Sequence, residues 1–305
     1  DKYQIFISDN QIFVQDTFEE PFTFSSISNF SLEILQHMND EKFPAKLLKI
    51  CNTKGEERIF DAPADSLTAP LEFKKLCARQ GNYQWNGNIK ELDKLTAYLY
   101  DKMGVGRKVD VLGWNPEGFY CWNNSVTVPG ESNIEIDKNG IFHHDAHTYY
   151  VPSANEIYRQ NHNKYARQKR VRLKTADFSI EEYLDQVVKV HGDFGVLGIL
   201  FAFASAHQDI IVDVAKGFPL YFLYGPPSTG KDELFGNLKA MFGISKTDFT
   251  GLENKQTTGK AKLRIFGEFA NMVVHLSEYV NGDKEIDGML KGLWDRGSYK
   301  RATLD

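Results

Sequence analysis

The first 60 residues alternate apolar and polar positions: Tyr3, Ile5 and Ile7, then Phe22 and Phe24, follow a two-residue repeat, which is the period of a half-buried strand. Ala45 to Ile50 is a further strand segment, and it runs into Asn52-Thr53-Lys54-Gly55 ahead of Arg58-Ile59-Phe60, the pattern of two strands joined by a tight turn. The period then lengthens. Pro70 to Arg79 and Asn88 to Met103 read as helices, the second with Asn88 as N-cap, Glu91 at the capping-box position, and Leu92, Leu95 and Leu99 on one face. Short aromatic strands follow at Val109 to Trp114 and Phe119 to Trp122, with rings that belong in a core. Residues 1–150 are therefore expected to form an α+β domain without a catalytic constellation.

His143, His144, Asp145 and His147 crowd into five positions of that domain and invite a metal reading. They follow Asp137-Lys138-Asn139-Gly140, a hairpin-turn sequence, so neighbouring side chains are expected on opposite strand faces and not around one ion. Residues 151–178 form a basic connector. Arg159, Lys164, Arg167, Lys169, Arg170, Arg172 and Lys174 oppose Glu156, with Tyr158 and Tyr165 interleaved. Cations that neutralise phosphates beside rings that stack on bases suit nucleic acid, and a solvated connector suits the same composition; both readings stand.

From Ser179 the helical period returns. Ser179 and Glu182 form a capping box, Tyr183, Val187 and Val188 give an apolar face, and His191-Gly192 ends the segment. Val196 to Ala206 reads as a buried helix and Asp209 to Ala215 as a short one; His191 and His207 are read as structural. Leu220 to Tyr224 is then a strand segment, and Lys231 to Met241 a helix. Between them lies Gly225-Pro226-Pro227-Ser228-Thr229-Gly230-Lys231-Asp232-Glu233, which follows the phosphate-binding pattern GxxxxGK[ST] except that Asp232 replaces the hydroxyl residue. Glycines let a loop turn its amides around phosphate oxygens, the helix start attracts the same anion, and Lys231 adds a point charge.

Asn271 to Glu278 is an apolar run ending in Ser277-Glu278, the outline of a Walker B strand whose usual ending is Asp-Glu. Glu278 is the candidate to orient or deprotonate a water. The two departures are reciprocal: the loop supplies a carboxylate, Asp232, and the strand a hydroxyl, Ser277. Magnesium takes hard oxygen ligands, so an exchanged pair still offers both donors; a degenerate site is the competing reading. Asp283 to Trp294 reads as a helix, and Arg296 to Arg301 as a cationic turn.

Composition narrows the choice. The 305 residues are 42% hydrophobic and 25% charged, ordinary for a globular chain. A net charge of -5 excludes a generally basic nucleic-acid coat and leaves local patches. Cys51, Cys77 and Cys121 lack CxxC spacing, which argues against a disulfide framework or zinc site and for a cytoplasmic location. The longest apolar run, Val196 to Ala206, is too short to span a bilayer, so no membrane partner is expected.

GPPSTGKDE, VVHLSEY and LKGLWDRGSYKR, preceded by GWNPEGFYCW and YYVPS, together resemble the P-loop ATPases of plasmids, phages and chromosomal-cassette mobile elements. In these, a domain of unassigned function precedes a helicase-like ATPase of the AAA+ or superfamily-three kind. The resemblance implies an α/β P-loop NTPase domain over 179–305, with a helical lead-in at 179–217 and a nucleotide core at 218–305 that is C-terminally truncated. It further implies ATP and Mg2+ as cofactors, DNA as partner, a homo-oligomeric ring, and a part in replicating the element. Lys231 and Glu278 become catalytic, Asp232 and Ser277 metal-associated, and Lys300 or Arg301 a DNA contact. Two alternatives remain: a nucleotide-gated adaptor or loader without efficient turnover, and a P-loop kinase.

Overall fold

Asn88 and Ser179 begin the two long helices by the same device. The Glu91 amide donates to Asn88 Oδ1 at 3.2 Å while the Asn88 amide donates to Glu91 Oε2 at 2.6 Å. Ser179 and Glu182 repeat this reciprocal pair at 3.2 and 2.9 Å, and each pair satisfies two amides that a helix start leaves without partners.

The computed structural model describes residues 2–17, 19–39, 43–158, 165–244, 266–276, 279 and 281–294. In chain order the strands are β1 (Ile5–Ser8), β2 (Gln11–Gln15), β3 (Phe24–Ser26), β4 (Phe30–Asn39), β5 (Ala45–Asn52), β6 (Glu57–Pro63), β7 (Val105–Lys108), β8 (Leu112–Asn115), β9 (Phe119–Cys121), β10 (Ser125–Thr127), β11 (Ile134–Glu135), β12 (Ile141–His144), β13 (His147–Tyr150) and β14 (Phe269–Ala270). The helices are α1 (Pro70–Ala78), α2 (Ile89–Lys102), α3 (Ile180–Ala206), α4 (Gln208–Ala215), α5 (Lys231–Ala240) and α6 (Lys284–Trp294). The architecture is mixed α/β. It divides into one unit of Asp1–Val109 with Asn139–Gln160 and another of Asp110–Lys138 with Asn161–Asp305.

In the first unit a six-stranded sheet runs β12-β13-β7-β4-β5-β6, beside a three-stranded antiparallel sheet β1-β2-β3. Along β4 the alternation buries Phe30, Leu32, Ile34 and Met38, with an irregular register between Ile34 and Gln36. Helices α1 and α2 contribute Phe73, Cys77, Leu92, Leu95 and Leu99 to the same core as Phe30 and Trp85. The rings of Phe73 and Trp85 meet edge-on at 5.1 Å, a geometry aromatic quadrupoles favour.

The histidine cluster sits on the β12–β13 hairpin, but its turn is Asp145-Ala146, both at positive φ, and not the earlier Asp137–Gly140. His144 is buried and His143 is exposed, so these two diverge, whereas His144 Nε2 lies 3.4 Å from Oδ2 of the adjacent Asp145. His143 Nδ1 lies 3.0 Å from Thr148 Oγ1.

In the second unit β8 to β11 form an antiparallel meander, and β14 joins it parallel to β8. Residues 110–138, grouped with the N-terminal domain on linear order, therefore cluster with the later chain. The basic connector is divided between the units, residues 151–160 clustering with the first; its later part is built into the second, where Val171 bridges to Ile244 and the buried Gln168 side chain donates to the Asp110 and Glu268 carbonyls at 2.7 and 3.2 Å.

The helical path of α3 breaks at the expected stop, where Gly192 takes a non-helical conformation at φ 55 and ψ -137, and a second helical stretch follows. By length and composition alone α3 is long and apolar enough to cross a membrane, although the break leaves residues 193–206, about 21 Å of helix at 1.5 Å per residue, against a hydrocarbon core of about 30 Å. Val196 to Ala206, expected to be buried, is not wholly so. Gly198, Ile199, Ala202 and Ser205 face inward while Val196, Leu197, Leu200 and Phe203 are exposed.

The junction of β8 with β14 delivers residues 271–276 to the site, and it depends on Gly113. That residue has φ +100, and a Cβ there would lie 1.8 Å from the Ala270 carbonyl oxygen. Gly118 has a similar φ of +94 with nothing within 4 Å. Gly118→Ala is expected to cost about 1–2 kcal/mol from backbone strain alone. Gly113→Ala adds a backbone clash and is expected to cost more than about 3 kcal/mol. Urea unfolding of the two variants checks the difference; equal costs would contradict the close approach.

Candidate functional site

Helix α5 is seated before its loop is considered. Leu234 and Leu238 are fully buried, and a Cβ added at Gly198 of α3 would lie 3.3 and 3.1 Å from their methyl carbons. Glycine at that crossing lets the two helices approach closely. The Tyr183 hydroxyl donates to the Asn237 carbonyl at 2.7 Å, and Asn237 Nδ2 lies 3.2 Å from His191 Nε2. His191, read as structural from sequence, thus anchors α5 at the Gly192 break, and its Cε1 would be 3.9 Å from a Cβ at Gly230.

Gly230 enters α5 in the left-handed region at φ 81, ψ 10, and Ser228 also has positive φ, so the loop Gly225 to Gly230 curls back over the helix start. Lys231 closes it. Its ammonium donates to the carbonyls of Gly225 at 2.9 Å and Pro226 at 2.5 Å and to Thr229 Oγ1 at 3.1 Å. Three donors on one ammonium meet three loop oxygens. The Thr229 hydroxyl donates in turn to the Pro226 carbonyl at 3.0 Å. No side chain caps α5, and Asp232 and Glu233 occupy its first turn, where the helix dipole favours negative charge.

The segment before the loop departs from expectation. Leu220 to Tyr224 belongs to no sheet among the described residues, and Leu220, Phe222 and Tyr224 are exposed. Tyr221 locates it: the hydroxyl donates to the Phe194 carbonyl at 3.0 Å, and the ring lies 5.4 Å from Phe201 and 5.8 Å from Phe235. Residues 273–276, the expected Walker B strand, are likewise without strand pairing, β14 ending at Ala270. Asn271 fixes their course. At φ 53 and buried, it donates to the Ala206 carbonyl at 3.1 Å and Asp209 Oδ1 at 2.6 Å, and its own carbonyl accepts from Tyr120 Oη at 3.1 Å.

That course brings His275 against α5. Its ring stacks on Phe235 at 4.3 Å and 15°, its side chain is 10% exposed, and Nε2 stands 4.0 Å from Oδ1 of Asp232, whose side chain is 91% exposed. Burial, then the Lys239 ammonium, pushes the imidazole down to about 4, against the opposing pull of Asp232. Asp232 and His275 are thus brought together; Ser277 and Glu278 lie outside the described residues, as do Lys300 and Arg301. Of the basic candidates, Arg167 pairs with Glu268 Oε1 at 3.1 Å, Arg172 Nη1 is 3.5 Å from Asn123 Oδ1, and burial lowers the Lys169 ammonium. Lys169 and Arg170 lie on a single 3-10 turn, Gln168–Arg170. Among the described residues no group of three or more metal-ligating side chains assembles.

Neither a protein-family model nor a curated protein sequence matches the chain. Among solved structures the chain is similar to one titled "SCCmec type IV Cch - active helicase", at 13% identity and a TM-score of 0.40, over 82% of this chain and 42% of that one. This chain thus spans less than half of that protein's length, and a likeness of that depth carries no weight for function.

The His275 environment has a pH consequence. Its folded value of about 4 lies below the ordinary 6.5, so between those values the unfolded chain binds the extra proton. Stability supported by the neutral ring is complete above about pH 6.5 and is lost as pH falls toward 4, on the order of 2 kcal/mol. Denaturation of native and His275→Gln protein from pH 7 to 4.5 checks this. The variant is expected to lose less stability on acidification, and parallel curves would contradict the buried neutral imidazole.

Proposed function

We propose that the chain is a P-loop ATPase of the helicase-like kind, taking ATP with Mg2+ at Gly225 to Glu233 and acting on DNA in a replication context. One observation carries the reading: the ammonium of Lys231 lies inside the loop it ends, at the start of a buried, anchored helix. A sequence match to GxxxxGK could be accidental; a lysine folded into its own loop supports the motif in three dimensions. Lys231 exchanges carbonyl and hydroxyl partners for phosphate oxygens when a triphosphate enters, and the charged acceptors make stronger bonds.

Asp232 decides the metal requirement. An exposed carboxylate at the loop repels a triphosphate, and a divalent cation between them converts that repulsion into coordination. In this reading Asp232 and Ser277 hold the cation and Glu278 orients the attacking water. DNA contact is assigned to Arg167, Lys169, Arg170 and Arg172 of the basic connector and to Lys300 and Arg301, and Arg167 also pairs with Glu268. The ring rests on the motif resemblance, the DNA partner on that resemblance and the basic connector, and the cytoplasmic setting on the cysteine pattern.

DNA-stimulated ATP hydrolysis tests the proposal. Lys231→Ala and Glu278→Gln are each expected to lower turnover by at least about a hundredfold, as losses of a phosphate charge and of the water-orienting group. Turnover indifferent to DNA would overturn the helicase-like reading, and nucleotide binding without turnover would favour the adaptor. Asp232→Thr combined with Ser277→Asp is expected to preserve nucleotide binding better than either single change.

A further inference from the structure

Asp232 and His275 face one another beyond hydrogen-bonding distance. The 4.0 Å between Oδ1 and Nε2 is about 1 Å beyond a hydrogen bond. It is close to twice a metal–ligand bond of about 2.0–2.2 Å. The His275 side chain is 10% exposed, and the carboxylate of Asp232 is its charged neighbour. Its orientation is held by Phe235, one helical turn beyond Asp232 on α5, so Nε2 is aimed at the carboxylate. The carboxylate is open to solvent and to the loop.

We propose that His275 Nε2 is a direct ligand of the divalent cation that accompanies the nucleotide, opposite Asp232, and that this imidazole makes the site prefer manganese to magnesium. The inference rests on the nucleotide reading of the loop. Ser277, as proposed above, with phosphate oxygens and water, completes the coordination. Imidazole nitrogen suits first-row transition ions, whereas magnesium takes oxygen; a site with one buried nitrogen and one exposed carboxylate therefore ranks Mn2+ above Mg2+.

Pulsed electron paramagnetic resonance of the 305-residue chain loaded with Mn2+ and ADP tests the assignment without turnover. A nitrogen-14 coupling from a directly bound imidazole is expected, changing to the nitrogen-15 pattern when the protein is grown with nitrogen-15 histidine and unlabelled nucleotide. Nucleotide bound with no histidine coupling overturns the inference and leaves the ATPase reading intact. Absence of nucleotide binding with either metal overturns both. In parallel, a fluorescent ADP analogue is titrated with Mn2+ and with Mg2+. The Mn2+ to Mg2+ affinity ratio is expected to fall about tenfold in His275→Gln. An unchanged ratio in a folded variant overturns the inference; should the variant unfold, the labelling experiment on native protein decides.

Discussion

One ammonium group organises the candidate site. Lys231 spends its three donors on Gly225, Pro226 and Thr229, which closes the loop against the first turn of α5. The helix beneath it is anchored by several contacts: Leu234 and Leu238 are buried against α3, Tyr183 holds the Asn237 carbonyl, and Phe235 carries the stacked His275. A preorganised charge on a rigid element is what anion recognition needs, since little ordering remains for the binding step.

Electrostatics then sets a tension at the same helix start. Lys231 and the amide ends of α5 favour an anion, whereas Asp232 and Glu233 in the first turn oppose one. Asp232 cannot be neutralised by His275 near neutral pH, because burial keeps that ring uncharged. A cation from solution is the remaining counter-charge for a phosphate placed there. The departure from the usual hydroxyl is therefore a change in how strictly the loop depends on metal, and not simply a loss.

What the sequence disclosed followed from locality. Both capping boxes involve residues three apart, and the β5–β6 hairpin is announced by the Asn52 to Gly55 turn between its strands; such features need no knowledge of distant chain. The glycine loop was legible for the same reason. The rest depended on long-range pairing. Nothing near Asn271 announces that it ties Ala206, Asp209 and Tyr120 together, and nothing near Arg167 announces Glu268. Hydropathy marked Val196 to Ala206 as apolar but could not tell which side faces a partner, since Leu197 and Leu200 are as apolar as Ile199. His275 lies within an apolar run; a polar ring inside such a run is the available signal, and only the fold shows that it faces Asp232.

The central claim is a metal-dependent nucleotide site built on Lys231. The most direct test is the affinity of the native chain for a fluorescent ATP analogue, with saturating Mg2+ and with metal removed by chelation, beside Lys231→Ala. The account predicts binding with metal, a loss of at least about tenfold without it, as an unscreened carboxylate beside the triphosphate requires, and weak binding of the variant throughout. Equal affinity with and without metal, or a Lys231→Ala variant that binds like the native chain, would contradict it.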